Sequence, residues 1–391
     1  MTRKRIFVCA GEYSGSLYMS ATVKSILQDY PDFEIYGIGG SEMQKAGARL
    51  LHNSDSWGSI GLVEALKRWY LIPVNFAMRK RLSQDRPDLV LLADYPGFNM
   101  HLARRAQSLG IPCVYLFPPR KFANSAVDVK EAASVIRRVA AEFLPTYEVY
   151  QEAGARVDFV GHPMLDTLPR LDREGLRGKN GVGEDEMLVL VLPGSRAQEV
   201  SLMLPLFAKT IPLLHARYPG LRFHVLGAEN LKSDSSQNVH LEQFTQNLKQ
   251  QGIEIQLIWE DRFSQMQMAD FALVTSGTAT MELMVYGVPM VICYKVSILT
   301  EILARCIFYQ LPEHIGLPNL LAGTRLVPEL VQRQATPENV ASEVLKILKD
   351  PKKLAEIRDQ FNEVSAKLGG VGSVNRLKSV IYEELGLRAC P

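Results

Sequence analysis

Met187-Leu188-Val189-Leu190-Val191-Leu192-Pro193-Gly194-Ser195-Arg196-Ala197-Gln198-Glu199 decides the fold. Six apolar residues in a row, with no polar alternation, suit a strand covered on both faces, as in a parallel sheet. A Pro-Gly turn follows, and Glu199–Tyr218 reads as a helix. The same strand-turn-helix step recurs along the chain. Upstream, short apolar runs stand at Ile6–Ala10, Phe33–Gly37, Leu89–Ala93, Pro112–Phe117 and Val157–Val160, with helical stretches such as Ser16–Gln28 and Asn99–Leu109 between them. Downstream, Arg222–Leu226, Glu254–Ile258, Phe271–Thr275 and Met290–Tyr294 read as strands, and Gln243–Gln251 and Thr280–Tyr286 as helices. Repeated βα alternation defines an α/β protein with parallel sheets and helices on both faces.

The 391 residues suit two domains. The pattern places an N-terminal Rossmann-like lobe at 1–167, a polar linker at 168–185, a second Rossmann-like lobe at 186–368 and a helical tail at 369–391, with an interlobe cleft. Hydrophobic content of 47% supports a packed core in each lobe. A formal net charge of +2 excludes binding dominated by nucleic-acid phosphates. Five scattered cysteines without C-x-x-C spacing indicate a reducing compartment and no structural zinc. Cys9, Cys113 and Cys293 lie in apolar runs and read as buried small thiols. The apolar run after Met1-Thr2-Arg3-Lys4-Arg5 is too short for a signal peptide and reads as a strand. No run of about 18 apolar residues occurs, so no membrane span is expected.

Residues 57–81 depart from this regularity. Trp57, Trp69, Tyr70, Ile72 and Phe76 stand beside Lys67, Arg68, Arg79, Lys80 and Arg81. The mixture fits a helix lying in a membrane interface, or a buried helix pair with basic ends.

In open parallel sheets, ligands bind outside the carboxyl ends of the strands. In the first lobe, Gly11-Glu12-Tyr13-Ser14-Gly15-Ser16 is a turn into a helix, able to take sugar hydroxyls or to serve as an ordinary capped turn. Gly39 and Gly40 end the second strand in a similar way. Asp94, before Tyr95-Pro96-Gly97-Phe98-Asn99, reads as a general base or as a helix cap. His162, in Gly161-His162-Pro163, reads as a hinge or ligand contact or as a structural histidine, without metal-ligand spacing to another group. In the second lobe, Gly194-Ser195-Arg196 and Ser276-Gly277-Thr278-Ala279 are two turns suited to a diphosphate, Arg196 adding a planar fork. Glu282 follows in the first turns of a helix, where it can take ribose hydroxyls.

These motifs occur in order, together with Gly37-Ile38-Gly39-Gly40-Ser41-Glu42-Met43, Gly61-Leu62-Val63-Glu64 and Leu317-Pro318-Asn319-Leu320-Leu321-Ala322-Gly323. On them, from about residue 5 to about residue 345, the chain resembles the lipid-A-disaccharide synthases. The resemblance implies a GT-B-type fold and an inverting transfer without metal or other cofactor. UDP-diacylglucosamine would be the donor and diacylglucosamine 1-phosphate the acceptor. Asp94 would be the base, with Glu12, Ser14 and Gly15 lining the reaction centre and Gly39, Gly40, Asn99 and His162 on the acceptor side. Gly194, Ser195, Arg196, Glu199, Ser276, Gly277, Thr278, Ala279, Glu282 and Asn319 would hold UDP. It further implies a cytoplasmic protein, peripheral on the inner membrane through residues 57–81, and a homodimer, with exchanged C-terminal segments as one arrangement.

Four positions depart from the family pattern, all in the first lobe. Ser16 stands where Asp is usual, and Gly97 replaces Asp in Pro-Asp-Phe-Asn. Pro118-Pro119-Arg120-Lys121-Phe122-Ala123-Asn124 lacks both tryptophans of the corresponding loop, and Pro145-Thr146-Tyr147 replaces Pro-Phe-Glu. Three alternatives follow: a UDP-sugar transferase with another acceptor, a non-catalytic paralogue that binds nucleotide or lipid, and a two-lobed UDP-sugar epimerase.

Overall fold

The computed structural model describes residues 3–11, 13–55, 57, 68–119, 128–183, 185–232, 235–297, 301 and 313–387. They form two compact units, one of residues 3–167 and 366–387, the other of 168–301 and 313–365.

The first unit is built on seven parallel strands in the order β3-β2-β1-β4-β5-β6-β7. They are β1 (Arg5–Ala10), β2 (Glu34–Gly39), β3 (Arg49–Asn53), β4 (Leu89–Ala93), β5 (Cys113–Leu116), β6 (Arg138–Ala141) and β7 (Val157–Phe159). Side chains alternate across a strand, so the apolar runs feed two cores. Phe7, Cys9, Val90, Leu92 and Tyr115 face one side, under the helices Leu71–Asp85 and Pro96–Ser108. Ile6, Val8, Leu89, Leu91 and Val114 face the other, under the helix Tyr13–Asp29.

The second unit has six parallel strands in the order β10-β9-β8-β11-β12-β13. These are β8 (Met187–Leu192), β9 (Leu221–Leu226), β10 (Ile255–Ile258), β11 (Phe271–Thr275), β12 (Met290–Tyr294) and β13 (Glu329–Val331). Both orders reverse once, between β1 and β4 and between β8 and β11. Such a reversal opens a crevice at the carboxyl ends of the two strands that flank it. Register sets what lies there. Ala10 pairs with Ala93, which brings the Gly11 turn beside Asp94. Leu192 pairs with Val274, which brings the Gly194 turn beside Ser276.

Three strands escape the sequence pattern. β3 is a half-exposed edge, β6 opens with Arg138, and β13 has three residues. None is a continuous apolar run.

The polar stretch 168–185 is not a free linker. Its helix Arg173–Lys179 packs into the second unit through Arg177, which is buried. Arg177 donates to the Met268 carbonyl at 2.9 Å, the Gly183 carbonyl at 2.7 Å and Asp270 Oδ2 at 3.0 Å. Polarity there serves an arginine-centred knot.

The described part of the tail, 369–387, is likewise not a separate element. The helix Ser373–Glu384 packs on the first unit of its own chain through Leu377, Val380, Ile381 and Tyr382. Asp29 accepts from Lys378 Nζ at 2.6 Å and from the Tyr382 hydroxyl at 2.7 Å. Arg138 joins Asp158 to Glu383. Cys9, Cys113 and Cys293 are buried free thiols, and burial pushes Cys293 up to about 12. Among the described residues no helix is long and apolar enough to cross a membrane.

Candidate active site

At the first reversal, the helix Tyr13–Asp29 starts against Asp94. A methyl group on Gly15 would stand 3.6 Å from Asp94 Cβ. Ser14, half-buried, lies in the same first turn. Glu12 lies outside the described residues, as do Arg120 and Lys121. Gly11 must be glycine because a Cβ there would stand 2.4 Å from the Tyr95 ring.

Asp94 and Tyr95 both adopt the left-handed conformation, with φ of 52° and 51°. Two successive non-glycine residues at positive φ are strained and need external support. Asn99 supplies part of it. Its Nδ2 donates to the carbonyls of Asp94 at 2.8 Å, Ala93 at 3.1 Å and Cys9 at 3.3 Å. Tyr115, from β5, donates its hydroxyl to the Asp94 carbonyl at 2.7 Å. The Tyr95 N–H donates to Asp94 Oδ1 at 2.8 Å. The helix beyond begins at Pro96 with Tyr95 as its cap residue, so Asp94 stands outside it and does not cap it.

Other first-unit residues point inward. Asn99 is fully buried beneath the turn, where its Nδ2 supports Asp94 and its Oδ1 has no partner among the described residues. His162 is also buried, among Tyr18, Phe117 and Phe143, and its Nδ1 accepts the Met164 N–H at 3.1 Å. It is a packed ring, not a surface for ligand. Gly39 and Gly40 are buried too. The Gly40 N–H donates to Ser16 Oγ at 2.7 Å, which is what the serine at this departure does.

At the second reversal the two turns differ. Glu199 Oε2 accepts the N–H groups of Ser195 at 3.0 Å and Arg196 at 3.3 Å, and Glu199 Oε1 takes Arg196 Nη1 at 2.6 Å. Gly194, at φ 124°, leaves room for it, since a Cβ there would lie 2.5 Å from Glu199 Cβ. The carboxylate thus occupies the very amides that the sequence assigns to a phosphate. The Ser276–Ala279 turn is open by contrast. Among the described residues, no backbone hydrogen bond engages the N–H groups of Gly277, Thr278 and Ala279. They precede or open the helix Thr278–Val285, where partial positive charge gathers. Of the two turns, this one has donors to offer an anion.

Glu282 is buried and ion-paired with Arg262. Asn319 is fully buried, and its amide is spent within the chain. Oδ1 accepts the N–H groups of Leu326 at 2.8 Å and Val327 at 3.0 Å. Nδ2 donates to Glu329 Oε1 at 2.7 Å and the Val327 carbonyl at 2.9 Å. Asn319 is therefore a brace for the loop that Ser276 Oγ touches through the Ile315 carbonyl at 3.0 Å, and not a nucleotide contact. Glu329 completes that brace by accepting the Ile315 N–H at 2.8 Å.

Tyr115, Arg262 and Glu329 carry no motif, and sequence reading misses them. Each acts from a neighbouring strand or helix, and only the fold brings it in. No group of three or more His, Cys, Asp or Glu able to hold a metal occurs among the described residues.

Two parallel sheets of this order, each with a loop site at its reversal, define a glycosyltransferase fold of the GT-B type. A Neisseria meningitidis UDP-GlcNAc 2-epimerase bound to UDP-GlcNAc shares it at TM-score 0.61, with 12% identity over 99% of this chain and 100% of that one. Acinetobacter baumannii MurG shares it at TM-score 0.59, with 15% identity over 97% and 99%. At those identities the likeness shows the fold alone. Sequence goes further. The chain matches the family described as Lipid-A-disaccharide synthetase over residues 6–382. It is 36% identical to the lipid-A-disaccharide synthase of Geobacter metallireducens over 385 residues, 98% of each chain. The chain belongs to the lipid-A-disaccharide synthase family and is a hexosyltransferase.

Proposed function

We propose that the protein transfers diacylglucosamine from UDP to the 6-hydroxyl of diacylglucosamine 1-phosphate, with inversion, giving a β-1,6 disaccharide and UDP. Asp94 takes the proton of the acceptor hydroxyl as its oxygen attacks the anomeric carbon, and the bond to the UDP oxygen breaks. The N–H groups of Gly277, Thr278 and Ala279 receive the diphosphate, and Arg196 adds a guanidinium to the leaving charge. Glu282, held by Arg262, takes the ribose. Ser14 and Gly15, with Glu12, line the acceptor side. The observation that carries this reading is Asp94, held in a strained turn at a sheet reversal beside the helix start at Gly15, where an added Cβ would stand 3.6 Å from Asp94 Cβ.

Membrane attachment belongs to the same reading. Trp69, Ile72 and Phe76 are 72%, 71% and 68% exposed, a large apolar display for a surface helix. They recur at helical spacing, and exposed Arg79 and Lys80 follow them. Such a face suits the anionic cytoplasmic surface of the inner membrane, where the acyl chains of both substrates lie. Residues 58–67 lie outside the described residues. The homodimer implied by the resemblance is part of this proposal and is read by light scattering.

The test is UDP release by the purified protein from UDP-diacylglucosamine, with and without diacylglucosamine 1-phosphate. Acceptor-dependent release that Asp94→Ala abolishes is expected. UDP binding without turnover would instead favour the reading with another acceptor, which the departures at Ser16 and Gly97 motivate.

A further inference from the structure

We propose that Tyr115 is a positioning residue for Asp94, acting with Asn99 through the peptide plane that joins Asp94 to Tyr95. The inference rests on Asp94 being the base. A peptide unit is rigid and planar, so its carbonyl and its N–H move together. The Asp94 carbonyl forms one end of this plane and accepts from Tyr115 at 2.7 Å and Asn99 Nδ2 at 2.8 Å. The Tyr95 N–H forms the other end and holds Asp94 Oδ1 at 2.8 Å. Fixing the carbonyl therefore fixes the donor that aims the carboxylate. Rotating the plane would release that oxygen and let the strained pair relax.

The two supports are unequal. Asn99 Nδ2 serves three carbonyls at once, two of them at more than 3 Å. Tyr115 serves one, with a short and directed bond. Its ring is locked, since it is fully buried among Phe7, Val90 and Leu92 and its residue pairs with Leu92 in the sheet. Burial also holds the phenol well above its ordinary range, so it stays a proton donor at any working pH. A buried tyrosine usually finds an acceptor for its hydroxyl. The acceptor here lies one residue past the end of β4, on the residue that carries the base.

The test is a double-mutant cycle on the intact enzyme, read as acceptor-dependent UDP release. Tyr115→Phe keeps the ring and removes one donor. It is expected to lower kcat tenfold or more and to leave KM for donor and acceptor within twofold, because the carboxylate is misaimed while both substrates still bind. In the already slow Asp94→Asn enzyme the same substitution is expected to change the rate less than twofold. Asn99→Ser, which removes the second donor to the same carbonyl, should show the same pattern and serves if Tyr115→Phe does not fold. A full-speed Tyr115→Phe, or an equal slowing in wild type and Asp94→Asn, would overturn the proposal while leaving the base assignment intact. An Asp94→Asn enzyme as fast as wild type would overturn both.

Discussion

Arg196 Nη1 lies 2.6 Å from Glu199 Oε1, three residues along the same chain. The expected phosphate turn is thus closed on itself by its own carboxylate. Nucleotide binding that uses Arg196 must share the guanidinium with Glu199 or draw it away.

Glu199→Gln keeps a carbonyl oxygen for the Ser195 and Arg196 amides and removes the charge. UDP should bind about fivefold more tightly to this variant, the ratio that ~1 kcal/mol produces. Calorimetric titration with UDP checks this. Weaker binding would mean that the charge of Glu199 is needed to aim Arg196.

Asn319→Ala should act on stability. The substitution removes all four hydrogen bonds of the buried amide, strips the buried Val327 N–H of its acceptor and takes a donor from the Val327 carbonyl, while the Leu326 N–H keeps the Thr324 carbonyl. Orphaned buried groups of this kind cost about 3 kcal/mol together. The urea midpoint should fall accordingly. An unchanged midpoint with lost UDP binding would restore Asn319 as a ligand contact.

His224 sets a pH dependence. Burial first, and Arg222 second, hold its imidazole below the ordinary 6.5, against the hydrogen bond to Gln265. The folded protein thus keeps it neutral where the unfolded chain takes up a proton. Its contribution is complete above pH 6.5 and is lost as pH falls below that value, by up to ~1.4 kcal/mol per unit. Urea unfolding at pH 7.5 and 5.5 should show a smaller drop for His224→Gln than for wild type. Equal drops would exclude His224 as a source.

The exposed face of the helix Leu71–Asp85 and of the 3-10 turn Arg68–Tyr70 before it can be tested apart from catalysis. Replacing Trp69, Ile72 and Phe76 together by serine should reduce co-sedimentation with anionic vesicles at least tenfold. Each apolar side chain inserted contributes roughly 1.5–3 kcal/mol. UDP affinity should not change, because the residues proposed to hold UDP belong to the other unit. Undiminished sedimentation would place the membrane contact elsewhere.

The sequence by itself determined the alternation of strands and helices, the two lobes and the family. Unbroken apolar runs such as Met187–Leu192 have only one comfortable setting, the interior of a parallel sheet, and their spacing dictates the βα order. It also marked the loops that carry Asp94 and Ser276, because ligand sites in such sheets follow strand ends. The tertiary structure alone decided what those residues do. Asn99, His162, Glu199 and Asn319 look like ligand contacts from their loops, yet each is buried and engages its own backbone or a neighbour. Tyr115 and Glu329 look like ordinary strand residues, yet they brace the two site loops from adjacent strands. Hydrogen-bond partners far apart in sequence leave no periodic trace, and a short polar strand such as β13 leaves no apolar one. A local pattern records the burial of a strand, while the aim of a side chain depends on which strand lies beside it.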